Sequence, residues 1–203
     1  SEVLIQGTAS NGASYSWTHS GAGTIETTAD PLQIKYLPAT ADYTNPSGVK
    51  VVQLFLTASG TGSCGSVTET LDLTLYASPK IDAGLDDSIC QGGTYALIGA
   101  TGTHYSSITW DDGVANGTFD YTGAGGVLNP TYTLNSADTG IITLTMTAQP
   151  NAACLPTIES FTSAMQLAVV ENPTIIASAT EITMCGETFT LPDLLTVNNA
   201  SGV

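Results

Sequence analysis

Apolar residues recur at every second position along much of the chain. Val52, Leu54, Leu56 and Ala58 form one such run and Leu71, Leu73 and Leu75 another, separated mostly by Thr, Gln and Asp. A period of two sends alternate side chains to opposite faces of an extended backbone, so each run predicts a strand with one face in a core and the other in water. No stretch carries a helical period over a useful length. Turn-forming clusters interrupt the runs about every eight to twelve residues, at Thr101-Gly102, Asp112-Gly113, residues 123–126, Asn129-Pro130 and Pro150-Asn151. Strands are predicted near residues 88–90, 94–100, 106–111, 117–121, 130–134, 140–148 and 160–170. Seven short strands in about 95 residues predict an all-β, immunoglobulin-like sandwich.

The pattern is written twice and begun a third time. Leu4 and Trp17 are 13 residues apart, as are Leu97 and Trp110. Val52, Leu54, Leu56, Thr57, Ala58 and Cys64 match Ile142, Leu144, Met146, Thr147, Ala148 and Cys154 at a constant offset of 90, and Tyr36 to Asp42 match Tyr132 to Asp138 at an offset of 96. Offsets that change between strands while the strands agree place the insertions in loops on a fixed scaffold. After Glu171-Asn172-Pro173, the counterpart of Ala77-Ser78-Pro79, the run Cys185 to Leu191 answers Cys90 to Leu97. The expected domains, strung head to tail, are residues 1–78, a repeat truncated at its start; 79–172, a complete repeat; and 173–203, the start of a third. On this alignment Ser1 matches Thr94, and the natural chain is expected to continue past Val203 into an aromatic residue. The joint at residues 81–97 fixes the period.

Composition supplies bounds. With 42% apolar residues and positive mean hydropathy, the chain has the material for folded cores. Three lysines (Lys35, Lys50, Lys80), no arginine and 18 acids give a net charge of −15. Nucleic acid is excluded as a partner, because a phosphate backbone needs Lys and Arg to replace its counterions, and the same sign argument excludes an anionic membrane surface. No run approaches the ~18 consecutive apolar residues of a membrane span, so direct insertion is not expected, and the first residues do not read as a leader. Ser1 does not read as a natural start. Four cysteines in an acidic, Arg-free chain fit an oxidising compartment, and none has the C-x-x-C spacing of a zinc site.

Residues 83–89 (Ala83-Gly84-Leu85-Asp86-Asp87-Ser88-Ile89) run on to Gly92, and are followed by Thr94, Leu97, Gly99 and then Trp110-Asp111-Asp112-Gly113. This run resembles the polycystic kidney disease-type (PKD-like) immunoglobulin-like domain. The Ile-Cys-x-Gly opening, the strand ending in Thr-Ala and the later loop Cys resemble the tandem PKD-like repeats of large Bacteroidota surface adhesins, including gliding-motility adhesins exported by the type IX system. The resemblance covers essentially the whole chain. It implies spacer or stalk repeats of a secreted cell-surface adhesin. The implied partners are neighbouring repeats of the same chain and, through other regions, surface glycans or outer-membrane proteins. Two other readings stay open: a module whose loops at residues 111–117 or 123–129 grip a glycan or protein, and the accessory region of a secreted hydrolase.

Individual residues are expected to be mostly structural. Trp17 and Trp110, mid-strand at matching places, are expected in the core rather than as sugar-stacking platforms. His19 and His104 have no counterpart in each other's repeat and no ligand-spaced Cys or carboxylate, and are expected on exposed loops. No Ser-His-Asp pattern or nucleophile elbow is visible, so no enzyme activity is expected. Asp82, Asp86 and Asp87, joined by Glu171 or by Asp111 and Asp112, are candidate oxygen ligands for calcium, the one cofactor considered. In the first repeat Trp17 is followed directly by Thr18-His19-Ser20, with no acids in the place of Asp111 and Asp112, and the second joint, residues 175–181, carries only Glu181, which favours a solvated turn. Asp87-Ser88-Ile89 is similar to the short sequence that Bacteroidota O-glycosylate, making Ser88 a glycosylation candidate, while Asn116-Gly117-Thr118 and Asn199-Ala200-Ser201 match the N-glycan pattern. Cys64, Cys90, Cys154 and Cys185 are disulfide candidates. Alternating strands put Cys90 and Cys154 at opposite ends of one repeat, about 30 Å apart, against a Cα reach of about 7 Å. Three arrangements stay open: a staple from the early Cys of one repeat to the loop Cys of the next, a Cys90–Cys154 bridge by an unusual path, and reduced thiols.

Overall fold

The computed structural model describes residues 2–113, 115–154, 160–177 and 195–198. The chain divides into two compact units, Ser1–Lys80 with Gly102–Ser107 and Ala148–Phe161, and Ile81–Thr101 with Ile108–Thr147 and Thr162–Val203. The start of the proposed third repeat lies mostly outside the described residues.

The first sandwich is built from β1 (Val3–Gln6), β2 (Ser14–His19), β3 (Thr24–Thr27), β4 (Gln33–Leu37), β5 (Val49–Ser59) and β6 (Ser66–Tyr76). One sheet has the order β1-β4-β3 and the other β2-β5-β6. The period-two pattern does what it predicts in the middle of these strands. Ile5, Ile34, Tyr36, Val52, Leu54 and Leu75 point inward and form one core, with Val3, Trp17, Ile25, Tyr43 and Leu73 packed against it. A short 3-10 turn, Thr40–Asp42, follows β4.

The second sandwich contains β7 (Lys80–Asp82), β8 (Asp87–Cys90), β9 (Thr94–Ala96), β10 (Thr101–Thr103), β11 (Ser107–Asp111), β12 (Thr118–Asp120), β13 (Thr131–Thr133), β14 (Gly140–Gln149) and β15 (Phe161–Val170). A four-stranded sheet of order β11-β14-β15-β8 and a three-stranded sheet of order β12-β13-β9 supply the buried Trp110, Tyr132, Leu144, Met146 and Leu167, and Leu97, just after β9, is buried with them. β8 runs parallel to β15, whereas β13 pairs antiparallel with both β12 and β9. The seven strands β8, β9 and β11 to β15, split four and three with β8 parallel to β15, make this an immunoglobulin-like sandwich, and β7 and β10 form a separate two-stranded pair. The chain is all-β; beyond these strands, β16 (Thr174–Ala177) pairs antiparallel with β17 (Leu195–Asn198).

Two features of the predicted pattern are corrected. The stretch expected as one strand over residues 94–100 ends at Ala96, and β10 is a separate strand paired with β7. The break follows from a close approach: Gly84, at φ +94°, lies against the backbone of Gly99, where a Cβ would be crowded. The second correction is the internal alignment. β1 pairs with β4 as Val3↔Tyr36 and Ile5↔Ile34, and β9 pairs with β13 as Tyr95↔Tyr132. The counterpart of Tyr95 is therefore Val3, and that of Leu97 is Ile5 rather than Leu4. Ile5 is 8% exposed and Leu4 59%, as a one-residue change of register requires. The matching 13-residue spacing conceals a connection to Trp17 that is one residue shorter than its equivalent before Trp110, and Glu2, not Ser1, matches Thr94.

Candidate functional site

Each sandwich buries a tyrosine hydroxyl against a carboxylate, and the two do so differently. Tyr36 faces inward because β4 alternates Ile34 and Tyr36 toward the core, and burial obliges its hydroxyl to find partners. It accepts from the Gly23 N–H (3.1 Å) and donates to Asp42 Oδ2 (2.9 Å). Asp42, 1% exposed, also accepts from the Ala39 N–H at Oδ2 (3.1 Å), and from the Ala22 N–H and Lys50 Nζ at Oδ1 (both 2.8 Å). Burial opposes ionisation of Asp42, but the donors from Ala22, Lys50, Tyr36 and Ala39 more than offset it and hold the carboxyl well below the usual range. Burial, followed by donation to that carboxylate, raises the Tyr36 hydroxyl.

Tyr132, the counterpart on β13, donates instead to Asp112 Oδ2 (2.9 Å), which also accepts the Gly117 N–H (3.0 Å). Asp112 comes from the turn after β11. Asp138, which corresponds to Asp42, accepts the Asn135 N–H (3.0 Å). In the place of Asp112 the first repeat has His19, whose ring meets Tyr36 edge-on at 5.3 Å, and in the place of Lys50 the second has Gly140. Burial, and then the Asp112 carboxylate, push the Tyr132 hydroxyl far up. Both hydroxyls back onto a glycine, Gly23 or Gly117, where a Cβ would strike the tyrosine. The equal offset of Tyr36 and Asp42 from Tyr132 and Asp138 marked these residues as a repeat signal. It did not reveal that a different loop supplies the second carboxylate.

The acidic joint lines a groove of about 530 Å³ together with Leu85, Ile98 and Met165. Its carboxylates are held by nearby chain. Asp82 Oδ1 accepts the Gly84 N–H (2.9 Å), Asp86 Oδ1 the Gln166 N–H (2.7 Å), and Asp87 the Ser88 N–H and the Tyr95 hydroxyl (2.8 and 3.0 Å). Burial and the bond to Asp87 raise the Tyr95 hydroxyl. Asp111 Oδ1 accepts the Gly113 N–H (2.8 Å) in its own turn. Among the described residues no three His, Cys, Asp or Glu are grouped to hold a metal, so Asp82, Asp86 and Asp87 are not brought together as a calcium ligand set.

Trp110 is buried and donates to the Val127 carbonyl (3.2 Å). Trp17 is half-buried, and its Nε1 has no acceptor among the described residues. The histidines are corrected: His19 ends β2 and His104 sits at φ +60°, both half-buried with Nδ1 enclosed, because His19 packs on the buried Tyr36 rather than in a free loop. Ser88 is exposed on β8, and Asn116 is exposed before β12, while Asn199 lies outside the described residues. Cys64, Cys90 and Cys154 are not joined to one another. Cys90 pairs with Val170 at the end of β15, whereas Cys154 precedes that strand's start. Cys185 lies outside the described residues. Among the described residues no helix is long and apolar enough to cross a membrane.

No family model and no curated protein match the chain. Solved structures similar to it include the protocadherin GammaB4 extracellular domain (12% identity, 82% of this chain and 30% of that one, TM-score 0.35). Protocadherin Gamma C5 EC1-3 is similar at 15% identity over 97% of this chain and 65% of that one (TM-score 0.38). Titin-A168169 is similar at 15% identity over 83% and 89% (TM-score 0.36). The chain spans less than half the length of the first of these, and the architecture rests on its own sheet registers.

Proposed function

We propose that the chain is a set of spacer repeats from a large secreted cell-surface adhesin, holding an adhesive region away from the cell and carrying no catalytic step. The observation that supports this reading is repetition of scaffold without repetition of surface chemistry. Both sandwiches keep an inward tyrosine on the same strand, paired to the same neighbour positions, while the loops differ in length and charge. A spacer is selected for a folded core in each unit, and a net charge of −15 opposes sideways association. The resemblance to PKD-like repeats of Bacteroidota gliding adhesins supplies the expected partners: adjoining repeats of the same chain, with glycans or outer-membrane proteins engaged through other regions. Cysteines at opposite ends of a repeat suit staples between successive repeats.

A second reading, a glycan- or protein-binding module, is favoured by one feature, the groove flanked by the exposed Leu85 and Ile98. Glycan arrays probed with the intact chain separate the two. A spacer gives no specific signal, whereas saturable binding lost on Ile98→Asp or on substitutions in residues 123–129 would replace the spacer with the module.

A further inference from the structure

The chain contains two Asn-Gly pairs, Asn11-Gly12 and Asn116-Gly117. Asparagine before glycine is a reactive pair, because a residue without a Cβ lets its backbone nitrogen reach the preceding side chain. That nitrogen attacks the asparagine Cγ, the new N–Cγ bond closes a succinimide ring, and the Cγ–Nδ2 bond breaks. The displaced amide proton leaves with Nδ2 as ammonia. Water then opens the ring at either carbonyl, giving aspartate or, where the chain stays joined through Cγ, isoaspartate. Nothing is oxidised or reduced, and water is the only co-reactant.

The fold builds the second of these pairs into the Tyr132 node. Asn116 is exposed, and its side chain makes no hydrogen bond among the described residues. The neighbouring nitrogen is held. The Gly117 N–H donates to Asp112 Oδ2 (3.0 Å), which also accepts the Tyr132 hydroxyl (2.9 Å). A Cβ on Gly117 would strike the tyrosine, so the backbone at this position rests directly on it. On one side the Ala115 N–H donates to the Asp112 carbonyl (3.3 Å), and on the other Thr118 enters β12 opposite Thr133. Ring closure requires the Gly117 nitrogen to turn its face toward Asn116 Cγ. That rotation breaks the bond to Asp112 and leaves a partly buried acceptor short of a donor. The first sandwich keeps the glycine, Gly23, but Ala22 precedes it, so only the second node carries the reactive pair.

We propose that Asn116 is a latent site of covalent modification, protected in the folded second sandwich by the bond from Gly117 to Asp112 and converted to isoaspartate when that sandwich opens. Isoaspartate adds a methylene group to the backbone just before Gly117. The Gly117 N–H can then no longer meet Asp112 while Gly117 rests on Tyr132 and Thr118 keeps its register in β12. Opening of this sandwich is thereby recorded as a permanent loss of its stability. This goes beyond the spacer reading and does not depend on it.

The test incubates the intact chain in mildly alkaline buffer, native or in urea, and follows residue 116 by peptide mapping with isoaspartate detection. Conversion is expected to be at least about tenfold slower in the native chain than in urea, where Asn11 serves as the standard for an unprotected pair. Asp112→Ala, shown by circular dichroism to be folded, should raise native conversion about tenfold and leave the rate in urea unchanged. Tyr132→Phe weakens the node but keeps the Asp112–Gly117 bond, so it should keep the protection. After refolding, chain converted at residue 116 should melt below an Asn116→Gln chain held in urea for the same time, a control that shares any change at Asn11. The comparison of native chain with urea needs no variant and stands even where Asp112→Ala does not fold. Equal conversion in both conditions, full protection in folded Asp112→Ala, protection lost in folded Tyr132→Phe, or equal melting of the converted chain and its control would each overturn the proposal.

Discussion

At the scale of single residues, the two tyrosine nodes pose the same problem with different solutions. A buried hydroxyl needs an acceptor, and either Asp42 or Asp112 provides it. Asp42 carries the greater burden, because it also satisfies two backbone N–H groups and the half-buried Lys50. Asp42→Ala would strand all of these partners, and a loss of about 3–5 kcal/mol is expected for the first sandwich. Urea unfolding followed by Trp17 fluorescence in a Trp110→Phe background measures it. Lys35 and Glu2, an exposed pair at 3.0 Å, serve as the control, since Glu2→Gln should cost less than about 1 kcal/mol. The node also has a pH signature. Asp42 is depressed below its ordinary value of 3.8, so its contribution is present above that pH and is lost as the pH falls below it toward the folded value. The Trp17-reported stability should therefore drop steeply below about pH 4. In Asp42→Asn that acid limb should flatten; an unchanged limb would mean that another carboxylate governs it.

At the scale of elements, register decides which side chains matter. Ile5→Ala should cost about 2–5 kcal/mol, since it empties a core position, whereas Leu4→Ala should change stability by less than about 0.5 kcal/mol. Equal effects of the two substitutions, measured by denaturant unfolding, would contradict the β1–β4 pairing. The same comparison explains what the sequence makes legible. Runs such as Val52 to Ala58 declare a strand and its inner face, because a period of two has only one way to meet a core. Spacing between runs is less informative, since a one-residue change in the loop before Trp17 leaves Leu4 looking like Leu97 while Ile5 takes its place. The β7–β10 pair was illegible for a related reason: three-residue strands leave no period to read, and the signal lay in the facing Gly84 and Gly99. The carboxylate of the second node was hidden because Asp112 and Tyr132 meet only through the fold, 20 residues apart.

At the scale of the whole molecule, charge and local chemistry make opposite demands on pH. Eighteen acids against three lysines repel one another near neutrality, and that repulsion costs stability in any compact state. Screening weakens it, the Debye length falling from about 30 Å at 0.01 M salt to about 10 Å at 0.1 M. Melting temperatures of the intact chain at pH 7 should therefore rise as sodium chloride is raised through that range. The dependence should fade near the sequence pI of about 4.1, where the net charge vanishes. Below that point relief of repulsion brings no further gain, while Asp42 is being protonated, so stability should pass through a maximum on the acid side of neutrality and then fall. The first sandwich should lead that fall, because only its node combines a fully enclosed carboxylate with a lysine partner. Scanning calorimetry across pH at two salt concentrations resolves the two effects, since salt acts on the repulsion between exposed acids far more than on the buried Asp42–Lys50 pair. A melting temperature at pH 7 that does not rise with salt would remove net repulsion as a determinant of this chain's stability, and would leave the nodes alone to set its pH limits.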